Sequence, residues 1–200
     1  MAATSIASIA ILAKAPVPGF AKTRLIRDIG AHAAAVLQER LTARAVATAV
    51  AAGLGPVTVW CAPDPTHRSF RELRVALKRQ PDGDLGARML AAFTDRPTLV
   101  IGTDCPKLTP QHLQDAARAL AAHEVVLIPA EDGGYVLIGA RSPHPDLFEN
   151  MTWSVPTVLA DTRARIAALG LSVAELATLW DVDTEDDLAR MEREFPELAL

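Results

Sequence analysis

Three basic residues, Lys14, Lys22 and Arg24, lie close together in the stretch AKAPVPGFAKTRL, around two prolines and a glycine. The prolines restrict this loop, while Gly19 allows its backbone to turn, so that the three cations could meet one anion. Arg24 could bind two phosphate oxygens at once, and Lys14 and Lys22 would act as point charges. We therefore predict a local anion site, against the alternative of a solvated basic loop. The stretch is not a Walker loop, because GxxxxGK[ST] is absent.

Acidic residues follow two other apolar segments. Asp104 lies at the end of the buried strand predicted in TLVIGTDCP, and Asp181 and Asp183 lie in LWDVDTEDDL. Magnesium commonly takes one or two carboxylates together with substrate phosphates, so we predict Asp104 and one or both later aspartates as metal ligands. Turn formation is the alternative for Asp104. Capping of the last helix explains one of the other two carboxylates well, but not obviously both.

A short connection carries the third candidate group, Asp132, Gly133 and Gly134. Only AEDGG separates VVLIP from YVLIG, and a parallel crossover needs roughly a dozen residues or more. These two strands should therefore be antiparallel neighbours. Turn geometry alone could explain a DGG tip, so a binding role for it is the second interpretation.

The remaining segments alternate in type between strand and helix. Apolar or β-branched runs predict strands at 5–13, 57–62, 75–79, 98–102, 124–130, 135–140 and 176–180. Helical spacing and caps predict helices at 31–52, 66–74, 85–93, 110–122, 156–169 and after Thr184 or Asp183. We expect a mixed, mostly parallel sheet with helices on both faces and its ligand site beyond the carboxyl ends of the strands.

Composition limits the classes of function. The chain of 200 residues, half of them hydrophobic, shows no break that divides it, so we expect one domain over 1–200. A net charge of −4 argues against a nucleic-acid-binding face. Two cysteines without CxxC spacing, no signal-peptide pattern and no run of eighteen apolar residues indicate a cytoplasmic protein without a membrane span. A homo-oligomer is compatible with the sequence.

Together, clustered cations and metal-binding carboxylates on one sheet edge describe a site for a nucleoside diphosphate or triphosphate with Mg or Mn. Zinc is disfavoured because the five histidines lack ligand spacing. No GxSxG is present, and neither cysteine has a protease or thioredoxin signature.

Six segments occur in the order found in a bacterial family provisionally named nucleotide-diphospho-sugar transferases, some of which are identified as arsenosugar biosynthesis glycosyltransferases. They are AKAPVPGFAKTRL, GDLGARM, GTDCP, EDGGYVLIG, MTWS and WDVDTEDDL, and the resemblance covers nearly the whole chain. It implies the GT-A-like nucleotide-diphospho-sugar transferase fold, whose mixed sheet has one late antiparallel strand.

The resemblance also implies roles for individual residues. Lys14, Lys22 and Arg24 would hold phosphates, and Asp104 would occupy the metal-carboxylate position, with Asp181 or Asp183 opposite. The nucleobase or ribose would lie at PDGDLGARM, where we name Gly83, Asp84, Gly86 and Arg88. Gly86 and Arg88 could instead simply start a helix. On the acceptor side, next to Gly133 and Gly134, Trp153 could stack on a sugar or close the core. Val155 follows Trp153 and Ser154 where members often have threonine, so one hydroxyl on the acceptor side is absent.

The resemblance favours a metal-dependent glycosyltransferase that transfers a sugar from a nucleotide-diphosphate sugar to a small-molecule acceptor. The candidate catalytic residues are Asp104 and Asp132, and Asp132 is the candidate base. The alternative is nucleotidyl transfer from a nucleoside triphosphate, because KAP…KTRL is also similar to the start of 2-phospholactate guanylyltransferase. A nucleotide-binding module without turnover ranks third, since Asp104, Asp181 and Asp183 are all present.

Overall fold

The computed structural model describes residues 6–200, and its strands form one seven-stranded sheet. The strands are β1 (Ser8–Lys14), β2 (Val57–Ala62), β3 (Ala76–Arg79), β4 (Thr98–Ile101), β5 (Val125–Pro129), β6 (Tyr135–Ala140) and β7 (Val173–Glu175). Their spatial order is β3-β2-β1-β4-β6-β5-β7. The first residue of the predicted first strand, Ser5, lies outside the described residues.

Strand β6 runs against both of its neighbours, β4 and β5, whereas the other pairings between these strands are parallel. The antiparallel pairing of β5 with β6 confirms the argument from the short AEDGG connection. The mixed, mostly parallel sheet of the GT-A-like fold is therefore present.

Six helices accompany the sheet in the described part of the chain: α1 (Ile26–Ala51), α2 (Arg68–Arg71), α3 (Leu85–Ala92), α4 (Pro110–Ala119), α5 (Val158–Ala168) and α6 (Glu185–Glu194). Regular helical geometry in α1 starts after Gly30, whose φ of 80° and ψ of 157° interrupt it, in agreement with the predicted start at 31. The predicted helices at 66–74 and 110–122 are shorter in the structure. None of the helices within 6–200 has both the length and the apolar character that crossing a membrane requires.

The two faces of the sheet bury separate apolar clusters because successive strand side chains point to opposite faces. On β1, Ile9 and Ile11 pack with α1 and α4, whereas Ala10 packs with α3 and α5. Helices therefore cover both faces, as predicted. Strand β5 is buried throughout, which explains why its sequence lacks polar alternation.

The predicted strand at 176–180 is wrong, because the last strand of the sheet is β7 at Val173–Glu175. Beyond β7 the chain continues alongside β5, but its pairing is reduced to a single bridge between Ala130 and Leu179. The partner strand ends at Pro129, which has no N–H for a ladder. This extended segment nonetheless leads directly to Asp181 and Asp183 at the edge of the sheet.

Candidate active site

A cavity of about 670 Å³ opens at the carboxyl ends of the central strands, where an open α/β sheet is expected to bind its ligand. Its volume is in the range of small-molecule sites. The cavity brings together most of the residues predicted from sequence: Lys14, Lys22, Arg24, Arg88, Asp104, Asp132, Gly134, Trp153, Ser154, Asp181 and Asp183. Basic and acidic groups that are far apart in the sequence thus share one site.

Lys22 lies at the centre of the charged part of this site, and its side chain is only 4% exposed. Its Nζ is 2.9 Å from Asp104 Oδ1 and 3.7 Å from Asp183 Oδ1, and it donates a hydrogen bond to the carbonyl of Val182 at 2.6 Å. The backbone of Lys22 is left-handed, with φ of 48°, which is unfavourable for a residue with a Cβ. The ammonium therefore serves as a counter-ion for carboxylates, and a phosphate contact by Lys22 stays a prediction.

Hydrogen bonds from neighbouring polar side chains orient the Asp104 carboxylate. Gln38 on α1 donates through Nε2 to Thr103 Oγ1 at 2.9 Å, and Thr103 donates to Asp104 Oδ1 at 3.1 Å. The backbone N–H of Val182 donates to the carbonyl of Asp104 at 2.9 Å, which ties the segment after β4 to the segment before α6. The Asp104 carboxylate is 42% exposed, so it is accessible to a ligand.

Asp183 pairs with Arg24 through Oδ2 as well as with Lys22. The cap of α6 is made by Thr184, whose hydroxyl accepts from the N–H of Asp187, while the Asp187 carboxylate accepts from the N–H of Thr184. Because Thr184 caps this helix, the Asp183 carboxylate is left for the two cations. This settles which of the two predicted residues is the cap.

Asp181 has no side-chain hydrogen bond to any residue described between 6 and 200. Burial, together with the negative charges of Asp104, Asp132 and Asp183, raises the pKa of its carboxyl to about 7, while the positive charge of Lys22 opposes the change. Burial and the charge of Asp181 likewise raise the pKa of the neighbouring Cys105 thiol to about 12, so this cysteine is not a thiolate nucleophile near neutrality.

The acidic residues provide part of the ligand set of a divalent cation, and water and substrate would have to provide the rest. No group of three or more His, Cys, Asp or Glu side chains within 6–200 is arranged to hold a metal ion unaided. Magnesium, however, is usually bound by one or two carboxylates and completed by water and substrate phosphates. An accessible Asp104, close enough to Asp181 for its charge to raise the pKa of that carboxyl, matches that donor set.

Lys14 and Arg88 differ from the other cations of the cavity, because neither has an acidic partner in the described part of the chain. Lys14 is exposed at the end of β1. Arg88, on α3, donates from Nε to the carbonyl of Gly83 at 3.1 Å. Their positive charge is therefore available to an anionic ligand. Gly19, with φ of 85°, forms an exposed turn of the basic loop and does not line the cavity.

Three residues predicted for the base or ribose do not line the cavity, and each has a structural role. Asp84 caps α3 by accepting from the N–H of Ala87 at 2.8 Å. Gly83 has φ of 120° in the preceding turn. Gly86 is packed so closely that a Cβ there would lie 2.7 Å from both the Phe148 carbonyl oxygen and the Trp153 ring, and these contacts explain the glycine. Leu85 and Arg88 of the same segment do line the cavity.

The turn between β5 and β6 contains a residue that lines the cavity, Asp132, and a residue with a packing role, Gly133. Asp132 Oδ1 accepts from the N–H of Gly134 at 2.9 Å, closing the turn, and Asp132 lines the cavity. Gly133 has φ of 89° and lies against Pro156, whose carbonyl oxygen would be 2.1 Å from an added Cβ. Gly133 therefore allows the close approach of the Pro156 backbone, and it does not line the cavity.

Trp153 closes the core and lines the cavity at once. Its ring stacks on Phe148 with centroids 6.5 Å apart, and its buried Nε1 has no hydrogen-bond partner within 6–200. Ser154, with φ of 62°, exposes its side chain beside Val155 in the same wall. Contact of this wall with an acceptor stays a prediction.

Sequence reasoning missed Gln38, Thr103 and Gln80, which all line the cavity. Gln38 is a polar residue on the apolar face of α1, and this interruption of the apolar pattern could have indicated a site residue. Gln80 directly precedes PDGDLGARM. It is only 8% exposed, and a polar side chain gives no indication of such burial.

Comparisons with known proteins agree with this architecture. A provisionally named nucleotide-diphospho-sugar transferase from Desulfovibrio desulfuricans G20 has 28% identity and a TM-score of 0.87, over 96% of this chain and 88% of its own. The synthase of 4-diphosphocytidyl-2C-methyl-D-erythritol from Anaerococcus prevotii DSM 20548 has 9% identity and a TM-score of 0.61, over 96% and 99%. A nucleotidyl transferase from Methanothermobacter thermautotroptrophicus has 17% identity and a TM-score of 0.62, over 96% and 98%. The last two show likeness of fold alone.

The fold and the cavity thus define a relative of the nucleotide-related transferases, with the nucleotide-diphospho-sugar transferase fold. Residues 45–155, more than half of the chain, match the model of the family described as "Uncharacterized protein conserved in bacteria (DUF2064)", and the chain belongs to that family. A search among curated proteins gives no match.

Proposed function

We propose that the protein is a divalent-cation-dependent glycosyltransferase whose donor is a nucleotide-diphosphate sugar. The observation that carries this proposal is the meeting of accessible carboxylates with unpaired cations at one sheet edge. Asp104 and Asp181 offer hard oxygen ligands, and Lys14 and Arg88 offer charge for phosphate oxygens. The family resemblance and the 28%-identical sugar transferase relative support the same class of donor.

In the proposed reaction, an acceptor hydroxyl oxygen forms a bond to the anomeric carbon, and the bond from that carbon to the diphosphate oxygen breaks. The nucleoside diphosphate leaves with the electron pair, so negative charge develops on its phosphates. Lys14 and Arg88 stabilise that charge, and Lys22 holds Asp104 and Asp183 in place. The hydroxyl proton passes to a base, for which Asp132 at the cavity wall is the candidate.

Asp104 is the principal residue to hold Mg or Mn, with Asp181, Asp183 or both as the second contact. When bound, the cation would neutralise charge on the diphosphate. The protein supplies the orientation, since Gln38 and Thr103 fix the Asp104 carboxylate on its inner side.

The test combines ligand binding with product analysis. We expect a uridine- or guanosine-diphosphate sugar to raise the melting temperature with Mg or Mn, and to be consumed with release of nucleoside diphosphate but no pyrophosphate. Asp104→Asn should abolish the metal-dependent part of both results. Asp95→Asn, at an exposed acid outside the cavity, is the matched control and should behave as wild type. An unchanged Asp104→Asn protein would remove this residue from the site.

Nucleotidyl transfer is the second candidate, because the Methanothermobacter nucleotidyl transferase shares the fold over 96% of this chain. In that reaction an acceptor phosphate would attack the α-phosphorus of a nucleoside triphosphate and expel pyrophosphate. Pyrophosphate release from a triphosphate would therefore favour this candidate. If a chelator does not change ligand binding, and neither nucleotide-diphosphate sugars nor nucleoside triphosphates are turned over, the protein is a binding module without catalysis.

A further inference from the structure

Apolar side chains from two separate parts of the chain line one region of the cavity. They come from α3 and from the segment that leads into α5: Leu85, Met89, Trp153, Val155, Pro156 and Val158. We call these side chains the apolar wall. Leu85 is 41% exposed, so part of the wall faces solvent. Accessible apolar surface inside a cavity indicates a place where the apolar part of a ligand binds.

The apolar wall begins next to the candidate base, Asp132. The segment that leads into α5 packs on the turn that carries this aspartate. A Cβ at Gly133 would lie 2.1 Å from the Pro156 carbonyl oxygen, and the N–H of Leu159 donates to the Gly133 carbonyl at 2.8 Å. Asp132 and Pro156 both line the cavity. An acceptor whose hydroxyl reaches the Asp132 carboxylate therefore has the apolar wall beside the rest of its body.

The wall continues from this segment onto α3. A Cβ at Gly86 would lie 2.7 Å from the Trp153 ring, so the helix and the indole are in contact with no side chain between them. Leu85 precedes Gly86, and Met89 follows it within one helical turn. Both of these side chains line the cavity together with Trp153. The apolar surface is therefore continuous from the side of Asp132 to α3.

The wall offers little to an anionic or strongly polar acceptor. Within 83–89 and 153–158, the two segments that form it, Arg88 is the one basic residue. Its Nε donates to the carbonyl of Gly83, and the proposed reaction uses its charge for the diphosphate. A phosphate or carboxylate along the wall would therefore lose its hydration without a charged partner. A sugar would leave most of its hydroxyls unpaired, because Ser154 is the one hydroxyl side chain of these segments that lines the cavity.

We propose that the acceptor is an alcohol with an apolar body, not a sugar or an anionic molecule. This inference rests on the proposed glycosyl transfer and goes beyond it by naming the class of acceptor. The alcohol oxygen bonds to the anomeric carbon, the nucleoside diphosphate leaves with the electron pair of the bond that breaks, and the hydroxyl proton passes to the Asp132 carboxylate. The apolar body lies along the wall, from Val155 towards Trp153 and Leu85.

A series of primary alcohols tests the wall while the reacting group stays the same. The full-length protein receives UDP-glucose or GDP-mannose with Mg, and ethanol, butanol or hexanol; alkyl glycoside is measured by mass spectrometry. We expect kcat/KM to rise about 2- to 4-fold for each added methylene, the range for burial of one such group. Hexanediol with hydroxyls at both ends should be a poorer acceptor than hexanol, because its second hydroxyl would lie against the wall. Glycerol and glycerol phosphate should be poorer still.

Val155→Thr changes the polarity of the wall at nearly constant volume, since it replaces one methyl group by a hydroxyl. It should raise KM for hexanol roughly 3- to 10-fold, and raise KM more than it lowers kcat. Val50→Thr is the matched control, because Val50 is 54% exposed on α1 and does not line the cavity, and its KM should equal that of wild type. Thermal unfolding checks that both variants are folded.

The outcomes separate this inference from the proposed function. A series without slope, or a faster reaction with glycerol, hexanediol or glycerol phosphate than with hexanol, overturns the apolar acceptor and leaves the donor site intact. Consumption of the donor by hydrolysis alone, or an unchanged KM in a folded Val155→Thr protein, does the same. If neither nucleotide sugar is bound or consumed, the proposed function is overturned, and the acceptor class with it.

Discussion

Removal of the Lys22 ammonium by Lys22→Met should destabilise the protein, because this cation is buried among carboxylates. Its Nζ lies 2.9 Å from Asp104 Oδ1 and 3.7 Å from Asp183 Oδ1, on a side chain that is 4% exposed. Methionine keeps the length of the aliphatic stem, so the substitution mainly removes charge and the hydrogen bond to Val182. The expected loss is therefore electrostatic.

The magnitude follows from the geometry. Breaking a buried ion pair by removal of one partner typically costs about 3–5 kcal/mol. The Asp104 side chain is 42% exposed, and solvent screens part of its charge, which lowers the expected loss in free energy of unfolding to about 2–3 kcal/mol. For a chain of this size that loss corresponds to a decrease of about 4–12 °C in melting temperature.

Urea and thermal unfolding without added metal measure this loss. The matched control is Lys107→Met, because Lys107 pairs with Glu194 at a similar 3.0 Å but is 47% exposed, and its substitution should cost under about 1 kcal/mol. Adding Asp104→Asn to Lys22→Met should cost less than the sum of the two single changes. If Lys22→Met and Lys107→Met are equally stable, the ammonium does not act as the counter-ion described here.

The remaining predictions concern Asp181, Gly133 and Gly86. The folded pKa of Asp181 is about 7, above its unfolded value of about 4, so the folded state keeps a proton that the unfolded state loses and wild-type stability falls between these pH values. Asp181→Asn should therefore be more stable than wild type at about pH 8, with the advantage vanishing near pH 4 in urea titrations; a pH-independent difference would contradict the raised pKa. Gly133→Ala should lower soluble yield and melting temperature severely, since its Cβ would lie 2.1 Å from the Pro156 carbonyl oxygen, whereas alanine at exposed Gly102, with 4.0 Å to its nearest atom, should be tolerated. Gly86→Ala should cost about 1–3 kcal/mol of stability, because its Cβ would displace both the Trp153 ring and the Phe148 carbonyl oxygen; the same unfolding assays measure it, and an unchanged melting temperature would contradict the tight packing described here.

Local sequence patterns were sufficient to predict the parts of the fold that depend on residues close together in the chain. The five residues between β5 and β6 required an antiparallel pair, and Thr109 and Thr184 cap their helices by the hydrogen bonds that such residues make in general. Apolar runs located β4, β5 and β6, because strands covered on both faces need apolar side chains throughout. The end of the sheet was predicted wrongly at 176–180, since pairing there depends on how far the distant strand β5 extends.

For the candidate site, the sequence by itself determined which charged groups follow which strands, and the rule for open sheets placed them on one edge. Tertiary structure alone decided how those charges are used. Lys22 turns inward to Asp104 and Asp183, which are remote in sequence. Among the cations that line the cavity, Lys14 and Arg88 are the ones without an acidic partner within residues 6–200. The orientation of Gln80 likewise depends on carbonyl groups of two other strands. Pairing and burial are properties of distances between remote residues, and spacing along the chain does not contain them.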